Sequence, residues 1–333
     1  VSELSALTVH FGERDRVGRA LRADALMQAC EERSVRWSVL LRGAEGFGAK
    51  HALRTDRLLT LSEDLPMALL AIDEPGAVRD LAAHLRPLGS GGLSTIETLT
   101  RAVAGPRPAG AVGGAAVRLG VIVARRERLN GRYAHELVVE WMRACGMHSS
   151  TALLGVDGTA GGERRRARFF AGNARVPMLI IGVGGRDEAA SAADRISREL
   201  PSAPVVARDA RVCGPAGEGI AAGAAGVSSD LCRLAVYAGE DERRGGRTLH
   251  EAIVRALRGA GAPGASTLRG QWGYDGPSAP SGERIAALGR HAPMITTVID
   301  DPGACVRWLA VIQELTGPAA IITSESISSA PGS

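Results

Sequence analysis

An apolar strand running into a glycine-rich loop is written three times in this chain, and that repetition constrains its fold more than any other feature. Leu40-Leu41-Arg42-Gly43-Ala44-Glu45-Gly46-Phe47-Gly48 returns as Thr267-Leu268-Arg269-Gly270-Gln271-Trp272-Gly273-Tyr274, with a worn copy, Ala152-Leu153-Leu154-Gly155-Val156-Asp157-Gly158, between them. The loop glycines Gly43, Gly155 and Gly270 lie 112 and 115 residues apart. A second marker, Pro66-Met67, Pro177-Met178 and Pro293-Met294, recurs at 111 and 116. Glycine and proline are separated by 23, 22 and 23 residues within the copies, so chance is a poor explanation. A period this long means tandem domains rather than a solenoid.

Each copy reads as strand, helix, strand, strand, helix, strand. In the first, residues 7–11 form a short β-rich run and 19–33 an amphipathic helix. Residues 37–41 lead into the glycine loop, and 67–72 are continuously apolar, as for a strand covered on both faces. Asp73 is the expected N-cap of a second helix over 76–85, and 93–99 form the last strand. The second copy places strands at 117–123, 150–154, 178–183 and 204–207, with helices over 133–145 and 187–200. The third places strands at 231–237, 265–269, 294–299 and 319–323, with helices over 248–259 and from Asp301-Pro302. The boundaries are therefore domain 1 over 1–103, a linker over 104–116, domain 2 over 117–213, a linker over 214–229 and domain 3 over 230–328. Both linkers are rich in Gly and Ala.

The element order is that of the ferredoxin-like split βαβ unit, an α+β fold that serves many functions. More specific are Gly12-Glu13, 18–21, 41–48 and 61–66 in the first copy, and Gly239-Glu240, 246–249 and 268–270 in the third. These resemble the family called domain of unknown function 190, which is grouped with PII-like signalling proteins. The middle copy follows only the spacing, and the third has Trp272-Gly273-Tyr274 where Gly-Phe-Gly is usual. The resemblance implies three PII-like domains closing as a single-chain pseudo-trimer, monomeric as a chain. It also implies clefts between domains that often bind nucleotides, a mobile loop after the second strand, and a partner such as a membrane transporter or ion channel.

Candidate chemistry gathers at the loops. Gly43, Gly46, Gly48, Gly270 and Gly273 could present backbone amides to a phosphate, and Arg42 and Arg269 stand at the loop mouths. Phe47, Trp272 and Tyr274, three of only eleven aromatics, could stack on an adenine. Glu13 and Glu240 follow the first strands and could face the same cleft. An adenine nucleotide is thus the expected ligand; a ligand-free, partner-binding loop is the alternative, and a metal-binding protein a third.

Composition narrows the classes. The formal charge of +4 is spread over 333 residues without a dense basic run, so nucleic acid is not expected as a partner. Five cysteines without a CxxC fit neither a disulfide framework nor a zinc finger, and point to a cytoplasmic protein. The seven histidines form no HxxH or HExxH pair, and no nucleophile motif accompanies them, so an enzyme is not expected. A regulator is the expectation.

Overall fold

The computed structural model describes residues 3–55, 64–88, 92–102, 116–166, 175–213, 229–276, 279–282, 292–316 and 320–331. Both expected linkers fall outside them, except for Ala116, which begins a strand, and Ser229. The first third contains β1 (Glu3–Gly12), α1 (Arg22–Glu32), β2 (Trp37–Arg42), β3 (Pro66–Asp73), α2 (Pro75–Leu85) and β4 (Leu93–Arg101). The second contains β5 (Ala116–Ala124), α3 (Ala134–Ala144), β6 (Ser149–Ala160), β7 (Pro177–Gly184), α4 (Arg186–Glu199) and β8 (Val205–Val212). The third contains β9 (Leu231–Gly239), α5 (Leu249–Gly259), β10 (Ala265–Asp275), β11 (Pro293–Asp300), α6 (Pro302–Thr316) and β12 (Ile321–Ser329). Among the described residues, six α-helices accompany long strands that all join one antiparallel sheet, a mixed α+β architecture.

Within each unit the strand order is fourth, first, third, second. β1 pairs with β3 and β4, and β2 with β3. β5 pairs with β7 and β8, and β6 with β7. β9 pairs with β11 and β12, and β10 with β11. The first and third strands are central in each unit and largely buried, which is why a third strand such as 67–72 reads as a continuous apolar run.

The units are joined by backbone. The tail of β6 pairs with β2, Gly155 facing Leu41 and Ala160 facing Trp37. The tail of β10 pairs with β6, Asp275 facing Ser149. The short strand Glu45–Phe47 pairs with β10, Phe47 facing Ala265. The fourth strands also meet in all three combinations, β4 with β8, β4 with β12 and β8 with β12. Each unit therefore contacts both others, and the two sets of pairings close on themselves. No second-strand edge is left to template foreign pairing along these stretches.

Three outer cores lie beneath the helices, and each borrows from a neighbour. The first holds Leu26, Leu69 and Leu81 with Ala330 of the third unit. The second holds Leu119, Met142 and Ile180 with Ala102 and Tyr274. The third holds Leu234, Ile253 and Leu309 with Phe47 and Cys213. A fourth core, with Leu4, Ile72, Ile122, Leu179, Tyr237 and Ile295, is shared by the inward sheet faces of all three. Ala102, Cys213 and Ala330 are one position repeated. Each follows a fourth strand and donates its amide to the next unit, to Val205, Ile322 and Ser94 carbonyls at 2.8–2.9 Å.

One local expectation is corrected. Asp73 ends β3 and accepts the Arg36 and Glu74 amides at 3.0 and 2.8 Å, and Glu74 takes the N-cap position of α2 without a side-chain cap. In α6, which begins at Pro302, Asp301 Oδ1 accepts the Ala304 amide at 2.9 Å and so caps the first turn.

Candidate functional site

The charged turn after each first strand is built identically. The amides of Gly12, Ala124 and Gly239 donate to the carboxylates of Asp15, Glu127 and Glu242 at 2.8, 3.0 and 2.8 Å. The next residue, Glu13, Arg125 or Glu240, donates its amide to Leu65, Val176 or Ala292 at 2.9 Å, just before the third strand. That anchor sets the side chain beside the end of the second strand. Glu13 there binds Arg42 through two hydrogen bonds, 2.7 and 2.9 Å. Glu240 pairs with Arg269 at the matching place. Glu240 is buried, whereas Glu13 and Arg42 remain 33% and 44% exposed in their side chains. The middle unit has Arg125 and Leu154 at these positions, so the pair is not made there.

The glycines answer a different demand from phosphate cradling. A Cβ on Gly43, Gly155 or Gly270 would lie 2.6 Å from Pro66 Cγ, 2.6 Å from the Pro177 carbonyl or 2.6 Å from Thr151. A Cβ on Gly46, Gly158 or Gly273 would lie 2.4, 2.2 and 2.2 Å from the Ala265, Ser38 and Ser150 carbonyls of the adjoining unit. Glycine is needed where one backbone crosses another this closely. The amides of Gly43 and Ala44 donate to the Pro66 and Thr267 carbonyls at 2.7 and 2.8 Å. Gly48 begins the turn closed by the His51 amide at 2.7 Å.

The aromatics part company. Phe47 is 5% exposed inside the third unit's core and stacks on His51 at 5.8 Å. Tyr274 is 2% exposed inside the second unit's core, and its hydroxyl donates to the Met147 carbonyl at 2.9 Å. The middle copy carries Thr159 at this place, donating to the Val35 carbonyl of the first unit at 2.7 Å. Phe47, Thr159 and Tyr274 are thus three keys turned into three neighbours. Trp272 stays partly open. With Glu140, Arg143, Ala144 and Pro280 it lines a cleft of about 690 Å³ between α3 and β10. The structure therefore brings Glu13 to Arg42 and Glu240 to Arg269, places Trp272 on a seam cleft, and sets Phe47 and Tyr274 beneath cover.

Sequence reasoning missed Glu140 and Arg143, whose helix meets the cleft only after the units assemble. It also missed a charged cluster on the inward sheet faces. Glu97 and Glu325 are buried there among Arg118, Arg208 and Arg233. Burial raises the Glu97 carboxyl, but Arg233, Arg118 and Arg208 together hold it well below the usual carboxylate range. Burial likewise opposes ionisation of Glu325, and Arg118 and Arg233 more than offset it. Tyr237 nearby is pushed up to about 12 by burial and by Glu325. The available signal was a lone arginine, Arg118 or Arg233, in an otherwise apolar first strand; Glu97, Arg208 and Glu325 lie in strands already rich in polar residues and gave none. Among the described residues, no group of three or more His, Cys, Asp or Glu has metal-holding geometry, and no helix is long and apolar enough to cross a membrane.

A family model for DUF190, described as an uncharacterized ACR, matches residues 4–101, 116–212 and 231–328. The chain belongs to the DUF190 family. All three units match, the middle one included, so the DUF190 repeat is present in triplicate. Among solved structures, aspartate kinase from Synechocystis is similar at 11% identity and a TM-score of 0.27, over 98% of this DUF190 chain. The alignment spans 43% of the kinase chain. A protein of unknown function from Galdieria sulphuraria is similar at 13% identity and a TM-score of 0.17, covering 65% of this chain and 99% of its own.

Proposed function

We propose that this DUF190 protein is a PII-like, non-enzymatic regulator, a single-chain counterpart of a trimer of ferredoxin-like units, acting in the cytoplasm. The carrying observation is the seam. Each second strand runs past its own unit onto the next, so anything bound between units bears on both. At the cleft beside Trp272 the seam is open. An indole face next to Arg143 suits a planar, anionic ligand, and an adenine nucleotide is the class to test first. The latches Glu13–Arg42 and Glu240–Arg269 lie at the root of the same strands and would transmit a change there to the loop that follows. Calorimetry against ATP, ADP, AMP and cyclic nucleotides is the test. Binding lost in Trp272→Ala and Arg143→Ala supports the reading, and silence at millimolar concentration removes the nucleotide from it.

A second reading is a ligand-free scaffold for a membrane transporter or channel. It is favoured by the glycine-loop amides being engaged by backbone and by Arg42 being neutralised within its own unit. Retrieval of the same membrane partner with and without nucleotide, but not after deletion of 48–53, would select it.

A further inference from the structure

The buried charges at the centre are unevenly divided among the units. In the strand registers Ala6 faces Glu97, Arg118 faces Arg208, and Arg233 faces Glu325. These are one pair of positions repeated, and they carry charges of −1, +2 and zero. None of the first two units' charges is balanced at home. Arg118 reaches Glu97 at 2.8 Å and Glu325 at 2.9 Å, both in other units. Arg208 lies 3.4 Å from Glu97 and 3.5 Å from Glu325, and it donates to the Thr98 and Ser326 carbonyls of the two neighbours. Arg233 bridges Glu97 at 2.8 Å and Glu325 at 2.6 Å. Side-chain exposure is 3% for Glu97, 0% for Glu325 and 12–14% for the arginines, so water compensates little.

A buried charge without a partner is strongly destabilising. Three copies of the first unit would bring three carboxylates together with only alanines opposite. Three copies of the second would bring six guanidiniums. We propose that Glu97 and Arg208 are specificity-determining residues that match the first unit to the second and forbid either from closing a ring with copies of itself. The partner that each inward face fits is an unlike unit of complementary charge. The departure of the units from one another is then the assembly code, and not mere drift.

The test is a charge exchange in the full chain, read by thermal unfolding and by hydrogen exchange of β4, β8 and β12. Glu97→Arg leaves four arginines against one carboxylate, and Arg208→Glu leaves two against three. Each should lower Tm by more than about 5 °C, and the double variant, which restores three against two, should recover over half of the loss. Additive losses would overturn the proposal. Should the single variants not fold alone, they are refolded together in equal amounts. Unit exchange between chains then restores a balanced centre, and two-chain particles should appear on sizing that wild type does not form. Their absence, with the single variants still unfolded, would also overturn it. Glu97→Gln and Arg208→Gln supply a gentler pair. The first removes a scarce carboxylate and the second the surplus guanidinium, so Glu97→Gln should cost the larger Tm shift; the reverse order contradicts the charge count.

Discussion

At the scale of single residues, the molecule is decided by where a side chain ends up after the strand that carries it has left its own unit. Phe47 has no place in the first unit's core and fills the third's. Phe47→Ala should remove about 3–4 kcal/mol and open the seam, with exchange of Glu45–Phe47 amides rising before that of β1. Tyr274→Phe should cost about 1 kcal/mol, because the Met147 carbonyl loses its donor while the ring still packs. Gly158→Ala drives a methyl to 2.2 Å from the Ser38 carbonyl, so loss of several kcal/mol is expected in chemical denaturation. The glycines were visible in the sequence, and their spacing marked a special loop. Their reason was not, since the carbonyls that Gly46, Gly158 and Gly273 clear belong to Ala265, Ser38 and Ser150 of another unit, 120 to 219 positions away. Amide cradle and close crossing demand the same residue.

At the scale of elements, the second strand is the informative one. The sequence predicts that it stops just before the glycine, at 154 or 269. In the structure β6 runs to Ala160 and β10 to Asp275. The continuation is held by a neighbour's strand, with a register shift at the glycine that turns it across the seam. Local propensity contains no trace of that partner. The third strands tell the opposite story, because a run covered on both faces is apolar whichever unit covers it. Two buried imidazoles bear on acid stability. His10 on β1 is held down to about 4 by burial and then by Arg233, and His135 on α3 to about 4 by burial and then by Arg125. A lowered folded-state value means the unfolded chain binds protons first. The contribution is complete above pH 6.5 and is lost as pH falls toward 4. A His10→Asn/His135→Asn variant should therefore show a flatter stability profile in that interval, by on the order of 2 kcal/mol. An unchanged slope would mean that neither imidazole is shielded.

At the scale of the whole molecule, three small sheets close over one another because a small four-stranded unit leaves an apolar sheet face with nothing to cover it. Tethering keeps the covers at high local concentration. Within that shared face the arginines and glutamates set which unit meets which. Lowering pH should protonate Glu97 and Glu325 only well below the usual carboxylate range, and the centre should then come apart as one event. Far-ultraviolet and tryptophan signals should coincide in that acid limb; separate transitions would show units that unfold independently. The repeat, the order of its elements and its apolar strands were settled by residues acting on near neighbours, through periodicity, turn chemistry and β-branched bulk. The destination of Phe47 and Tyr274, the seam cleft and the pairing of Glu97 with distant arginines were settled only by folding. Those contacts join residues that only the closure of three sheets brings within reach.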